Sequence, residues 1–116
     1  MSKDISDRLY KFTLRIIELV RSLSSELVAR EIGKQLIRSG SSIAANYEEA
    51  TVGFSKDDFT YKLAIAFKEA KETNFWLRLL QDAKIVKPGL LELLIEESIE
   101  ISNILGKSVK TAKGRK

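Results

Sequence analysis

The sequence predicts an all-α protein, an antiparallel up-and-down four-helix bundle. Apolar residues recur at alternating three- and four-residue steps in four long segments, and this spacing places them on one face of a helix. The breaks between the segments are short. Helices of about 30–40 Å joined by short connections pack side by side in opposite directions. No alternating strand pattern and no linker divides the chain.

The first two helices are predicted over residues 5–23 and 26–51. Asp4 is suited to cap the first helix, because its carboxylate can accept hydrogen bonds from the first turn. The inward stripe of the second helix mixes apolar and polar positions: Ile32, Leu36, Ser39, Ile43, Asn46 and Ala50. We therefore expect Asn46 to be buried and hydrogen-bonded. Gly33 and Gly40 would let a neighbouring helix approach closely.

The third helix is predicted to follow a cap at Ser55 and to reach about residue 85. It is apolar on more than one face, so it needs more than one partner surface. Ile65, Trp76 and Leu79 lie on its second stripe and are the predicted oligomer interface. Trp76 could instead stack on a base, although the sequence offers no exposed aromatic series to accompany it. The fourth helix is predicted to have Pro88 in its first turn and to stop at Gly106.

Residues 107–116 differ in composition from the preceding bundle, which spans residues 1–106. They contain five cations and no acid: Lys107, Lys110, Lys113, Arg115 and Lys116. Removing these five from the 20 basic residues leaves 15 against 16 acidic residues, so the bundle is nearly neutral. We expect a disordered tail that binds the phosphate backbone of RNA or DNA. The alternative is a terminus that only improves solubility.

Composition also excludes several function classes. The chain has no cysteine and no histidine, which removes disulfides, thiolate chemistry and the most frequent general base and metal ligand. No apolar run is long enough to span a membrane, and the N-terminus lacks the pattern of a signal peptide. We expect a cytoplasmic protein that is not an enzyme and needs no cofactor or metal.

Two stretches carry a resemblance to a known family. Residues 38–50 read RSGSSIAANYEEA in the second helix, and residues 55–59 (SKDDF) and 65–77 (IAFKEAKETNFWL) belong to the third. These motifs resemble the signatures of the bacterial four-helix bundle family, also called the ribosomal RNA intervening-sequence protein family. The resemblance implies a four-helix bundle that assembles into a homopentamer and has no enzymatic activity. A relative, the accessory variability protein of diversity-generating retroelements, partners a reverse transcriptase and nucleic acid.

The same motifs contain a group of polar residues: Arg38, Asn46, Glu49, Glu69 and Glu72. The simpler interpretation is a buried polar network that fixes helix register or subunit pairing. The alternative is a pocket for a small ligand or metal, formed by the Asn46 amide and the three carboxylates. A di-iron site of the helical-bundle type would also need histidine ligands.

Overall fold

The computed structural model describes residues 3–114. In this range the chain forms four helices and no strand: α1 (Lys3–Ser22), α2 (Leu27–Thr51), α3 (Lys56–Asp82) and α4 (Glu92–Gly114). The all-α prediction and the number of helices are therefore confirmed. None of these helices has an apolar stretch long enough to cross a membrane.

Local capping explains where α3 begins and ends. The Ser55 hydroxyl accepts a hydrogen bond from the backbone N–H of Asp58 at 3.0 Å, as the sequence predicted. At the other end, Lys84 has a φ of 59°, and Ile85 donates its backbone N–H to the carbonyl of Leu80 at 3.1 Å. This left-handed residue and its backbone hydrogen bond form a Schellman motif. The helix therefore stops before residue 85.

The fourth helix begins later than the sequence predicted. Gly89 adopts a φ of 92° directly after Pro88, a conformation that only glycine adopts readily. Pro88 thus belongs to a turn in the connection, and α4 starts at Glu92.

The first helix contacts both α2 and α4. On α2, a Cβ at Gly40 would lie 3.1 Å from Ile16 of α1, and one at Gly33 would lie 3.3 Å from Val20. Both glycines therefore allow the close approach that the sequence predicted. Arg8 of α1 also reaches α4, where its Nε lies 2.7 Å from Glu97 Oε2 and its Nη2 lies 2.9 Å from Glu100 Oε1.

A single apolar core fills the space between the helices. Each helix contributes side chains that are at most 2% exposed, among them Phe12, Ile16, Leu36, Ile43, Leu63, Leu77, Ile101 and Leu105. All eight lie on the inward stripes predicted from periodicity, and burying each stabilises the fold by about 1.5–3 kcal/mol. The helical pattern therefore locates the core well.

The prediction that the bundle ends at Gly106 is wrong. The fourth helix runs through Gly106 to Gly114, and Val109 and Ala112 are each only 8% exposed in the core. Gly106 serves a packing purpose instead: a Cβ there would lie 3.0 Å from Cε1 of Phe67 on α3. The segment 107–114 is therefore part of the bundle and is not a disordered tail.

Deleting residues 107–116 should lower the free energy of unfolding. The deletion removes the buried Val109 side chain and two helical turns, so we expect a loss of at least about 2 kcal/mol. Thermal or urea unfolding followed by circular dichroism measures it. The matched control keeps the chain length and replaces Lys107, Lys110 and Lys113 by Gln, which should leave stability nearly unchanged. Equal melting of the truncated and full-length proteins would contradict the burial of Val109.

Candidate functional site

Three of the five predicted nucleic-acid-binding cations, Lys107, Lys110 and Lys113, lie in the last two turns of α4. Lys107, Lys110 and Lys113 are all exposed, and their positions three residues apart place them along one side of the helix. Arg115 and Lys116 lie outside the described residues. The three described cations are thus held by a helix that Val109 and Ala112 anchor to the core.

A groove beside these lysines adds a cation that sequence analysis missed. The groove lies between α3 and α4, has a volume of about 520 Å³, and is lined by Phe67, Lys71, Ser102, Asn103, Gly106 and Lys107. It brings Lys71 of α3 next to Lys107 of α4, although 36 residues separate them in the sequence. The sequence analysis assigned Lys107 to a disordered tail, so it did not pair this residue with Lys71 of α3.

The lysines in and beside the groove form no ion pair with an acidic side chain of the described residues. Within residues 3–114, the cations of ion pairs are Arg8, Lys34, Arg38 and Lys62. Lys71, Lys107, Lys110 and Lys113 are not among them. Their ammonium groups are therefore available to anions from solution.

The predicted polar network is only partly assembled. Arg38 of α2 contacts two carboxylates of α3: its Nη1 lies 3.3 Å from Glu69 Oε1, and its Nη2 binds Glu72. The indole Nε1 of Trp76 donates a hydrogen bond of 2.9 Å to Glu72 Oε2. Glu69 is buried, whereas Arg38 is exposed at the edge of the cluster. These four side chains connect α2 to α3.

Asn46 and Glu49 lie away from that cluster. Asn46 is half-buried, and its Nδ2 donates to the carbonyl and hydroxyl of Ser42 at 2.8 and 2.9 Å. Glu49 pairs with Lys62 at 2.7 Å. The expectation that Asn46 is buried in the core is wrong. Tyr47 takes that place at 1% exposure, because the stripe advances by four residues from Ile43 and not by three.

The predicted oligomer interface residues are half-buried. Ile65, Trp76 and Leu79 all lie between the core and the surface of α3. Trp76 also contacts Phe75 in an edge-to-face arrangement with ring centroids 5.0 Å apart. Phe75 is 46% exposed, and Tyr61, about four turns earlier on the same side of α3, is 63% exposed. This side of α3 therefore presents aromatic surface to its surroundings.

Electrostatics hold the network carboxylate in its charged form. The Trp76 indole N–H, and after it the Arg38 guanidinium, lower the pKa of Glu72 below the ordinary glutamate value. On the opposite side, the hydrogen bonds from Arg8 lower the pKa of Glu97. A carboxylate that stays ionised and paired is a poor proton donor at neutral pH. Both groups are suited to structural ion pairs.

Metal-ligand geometry is not found in the part of the chain that the structure describes. No three carboxylates converge there, and Glu69 and Glu72 share Arg38 as a partner. The residues proposed for a metal or small-ligand pocket therefore do not form one cluster.

The chain is similar to a known protein family and to a solved structure. The model of a family described as "23S rRNA-intervening sequence protein" matches residues 2–107. A crystal structure of a protein of unknown function from the S23 ribosomal protein family of Bacteroides thetaiotaomicron is similar, with a TM-score of 0.84 and 38% identity. The match covers 91% of this chain and 95% of that chain. No curated protein matches.

Replacing Glu72 by Gln should reduce stability at neutral pH but not in acid. A carboxyl whose folded-state pKa is lowered stabilises the protein above its unfolded pKa of about 4.3, and this contribution disappears as pH falls through the folded pKa. We expect a difference below about 1 kcal/mol at pH 7, since the pair with Arg38 is half-exposed. Urea unfolding at pH 7 and pH 3 measures it, with the exposed Glu18→Gln as control. A difference that persists at pH 3 would contradict this electrostatic origin.

Proposed function

The chain belongs to the 23S rRNA-intervening sequence protein family, and we propose from this premise that it is a non-catalytic, homo-oligomeric scaffold of the cytoplasm. It binds RNA or DNA through the two lysines of the α3–α4 groove and the two lysines on the following turns of α4. The observation that carries this proposal is the set of four unpaired lysines on two packed helices: Lys71, Lys107, Lys110 and Lys113. The assembly is a homopentamer, as the sequence resemblance implies.

An antiparallel course of the helices is part of the proposal. Between α2 and α3, Glu49 pairs with Lys62 while Arg38 pairs with Glu69, so the residue numbers rise along one helix as they fall along the other. Phe67 with Gly106, and Asn74 with Ser98, follow the same rule between α3 and α4. These pairs support an antiparallel course of α2, α3 and α4.

Phosphate binding follows from the chemistry of the groove. Lysine ammonium groups attract the phosphate backbone and release its condensed counterions, so affinity falls steeply with salt. Ser102 and Asn103 line the same groove and add hydrogen-bonding groups that can contact phosphate or sugar. Contacts of this kind position a nucleic acid without specifying its sequence. The groove therefore supports binding with little base preference.

Oligomerisation is supported by exposed apolar side chains. Large apolar side chains are exposed on three of the helices: Tyr10 and Leu14 of α1, Tyr61 and Phe75 of α3, and Leu93 and Ile99 of α4. Large exposed apolar patches are rare on monomers and commonly mark protein interfaces. Several copies would also multiply the lysines offered to one nucleic acid, which raises the apparent affinity through effective concentration.

A non-catalytic role is supported by the available side chains. The sequence has no histidine or cysteine, and the two carboxylates of the polar network on α3, Glu69 and Glu72, are bound by Arg38. The arrangement supplies neither a general base poised near neutral pH nor an activated nucleophile.

Replacing Lys71, Lys107 and Lys110 by Gln should weaken nucleic-acid binding and reduce its salt dependence. Each lost phosphate contact lowers the slope of log affinity against log salt by about 0.7–0.9, so the three changes together should lower it by up to about 2–3. Fluorescence anisotropy with a labelled oligonucleotide of arbitrary sequence measures this between 50 and 300 mM salt.

The matched control carries the same change of net charge elsewhere. Lys11, Lys56 and Lys84 are exposed outside the groove, and replacing them by Gln should alter the slope much less. Equal losses in both variants would indicate nonspecific attraction to the whole protein. A wild-type protein that fails to bind at 50 mM salt would overturn the nucleic-acid proposal.

A further inference from the structure

An apolar pocket lies between the end of α1 and the start of α2. Its volume is about 490 Å³, and Val20, Leu23, Ala29 and Ile37 supply most of its apolar lining. Gly33 also lines it, at the point where a Cβ would lie 3.3 Å from Leu23 and Val20. Two exposed cations, Arg30 and Lys34, also line the pocket; Lys34 lies 3.2 Å from the exposed Glu31, whereas Arg30 forms no ion pair in the described residues. An apolar floor with positive charge beside it favours an apolar segment that carries carboxylates.

The start of α4 has this complementary character. Leu90 and Leu93 are 69% and 71% exposed, and Glu92 and Glu96 are exposed beside them. The other carboxylates of this region, Glu97 and Glu100, are bound by Arg8. In the described residues, neither Glu92 nor Glu96 contributes to an ion pair. The first turns of α4 thus present aliphatic side chains and free negative charge together.

Both surfaces lie at the same height along the bundle. Ser39 of α2 lies 3.0 Å from Thr73 of α3, and the adjacent Asn74 lies 2.9 Å from Ser98 of α4. In the antiparallel bundle proposed above, α2 and α4 run in the same direction. Both helices rise by 1.5 Å per residue. Residues 33–37 of α2 therefore lie at the same height along the bundle as residues 92–96 of α4. This places the pocket level with residues 92–96.

The two surfaces belong to different sides of the molecule. Within residues 3–114, no Cα atom of α2 lies within 8 Å of a Cα atom of α4, so the two helices are not direct neighbours and the start of α4 does not cover the pocket of its own chain. A second copy can. In a closed ring whose axis is parallel to the helices, neighbouring subunits are related by rotation without a rise, so contacting surfaces must lie at equal height.

We propose that the α1–α2 pocket binds the first turns of α4 from a second copy of this chain. Leu93 lies over the apolar floor, and Glu92 and Glu96 face Arg30 and Lys34. The contact joins two different surfaces, so it is heterologous and repeats around a ring. This inference rests on the homo-oligomer of the proposed function and names the surfaces that form it.

Charge exchange tests the contact. The first variant carries Arg30→Glu and Lys34→Glu, the second carries Glu92→Lys and Glu96→Lys, and the third combines all four changes. Each of the first two places like charges against each other at every interface, and we expect its dissociation constant to rise about 100-fold. The third restores opposite charges at every interface, in a ring of any subunit number, and should recover the wild-type assembly. Analytical ultracentrifugation measures the sizes.

A control variant, Lys11→Glu with Lys56→Glu, has the same net charge as the first variant and should assemble like wild type. Circular dichroism establishes that all variants are folded. If the first two variants keep the wild-type size, the pocket is occupied by something other than a second copy, and the inference is overturned while the oligomer itself stands. If the variant with all four substitutions fails to assemble, the inference is also overturned. A monomeric wild-type protein would overturn both the inference and the oligomer of the proposed function.

Discussion

At the centre of the bundle, the hydroxyl oxygen of Thr73 lies 3.0 Å from that of Ser39 and 2.8 Å from the carbonyl of Glu69. Both hydroxyl groups are fully buried, and an unpaired hydroxyl there would cost about 1–3 kcal/mol. The contact therefore favours one register between α2 and α3 over neighbouring registers that apolar packing alone would tolerate. Asn74 extends this effect to α4 through Ser98. The height of every surface feature on α2 and α4 follows from this one register.

Much of the fold could be predicted because helical periodicity reports burial directly. The stripe of Leu63, Ala66, Ala70 and Leu77 is recognisable in the sequence and is fully buried. Ser55 was recognisable as a cap because its hydroxyl needs only a neighbour three residues along the chain. Both features depend on local spacing, which a sequence contains in full.

Features that depend on distant neighbours were not predictable in the same way. A glycine such as Gly106 can end a helix or make room for another helix, and only the position of Phe67 decides between these roles. Lys71 joined the candidate site for the same reason. Asn46 and Tyr47 are adjacent in the sequence. A step of three residues from Ile43 assigns Asn46 to the buried stripe, and a step of four residues assigns Tyr47. Arg38 with Glu69 and Glu72 was anticipated because both family motifs face the same contact.

The exposed side of α4 changes charge along its length, with Glu92 and Glu96 in its first half and Lys107 and Lys110 in its second. This order suits the helix dipole, but it also separates two surfaces by more than two turns of helix. An interface formed by the first half leaves the lysines of the second half uncovered. In a ring built from that interface, rotation repeats the lysines at one common height. Such a ring would offer several copies of the lysines to one nucleic acid, and the proposed phosphate binding would strengthen with the number of subunits without any change in the groove itself. Assembly and nucleic-acid binding would thus be coupled through avidity, although they use separate residues of the same helix.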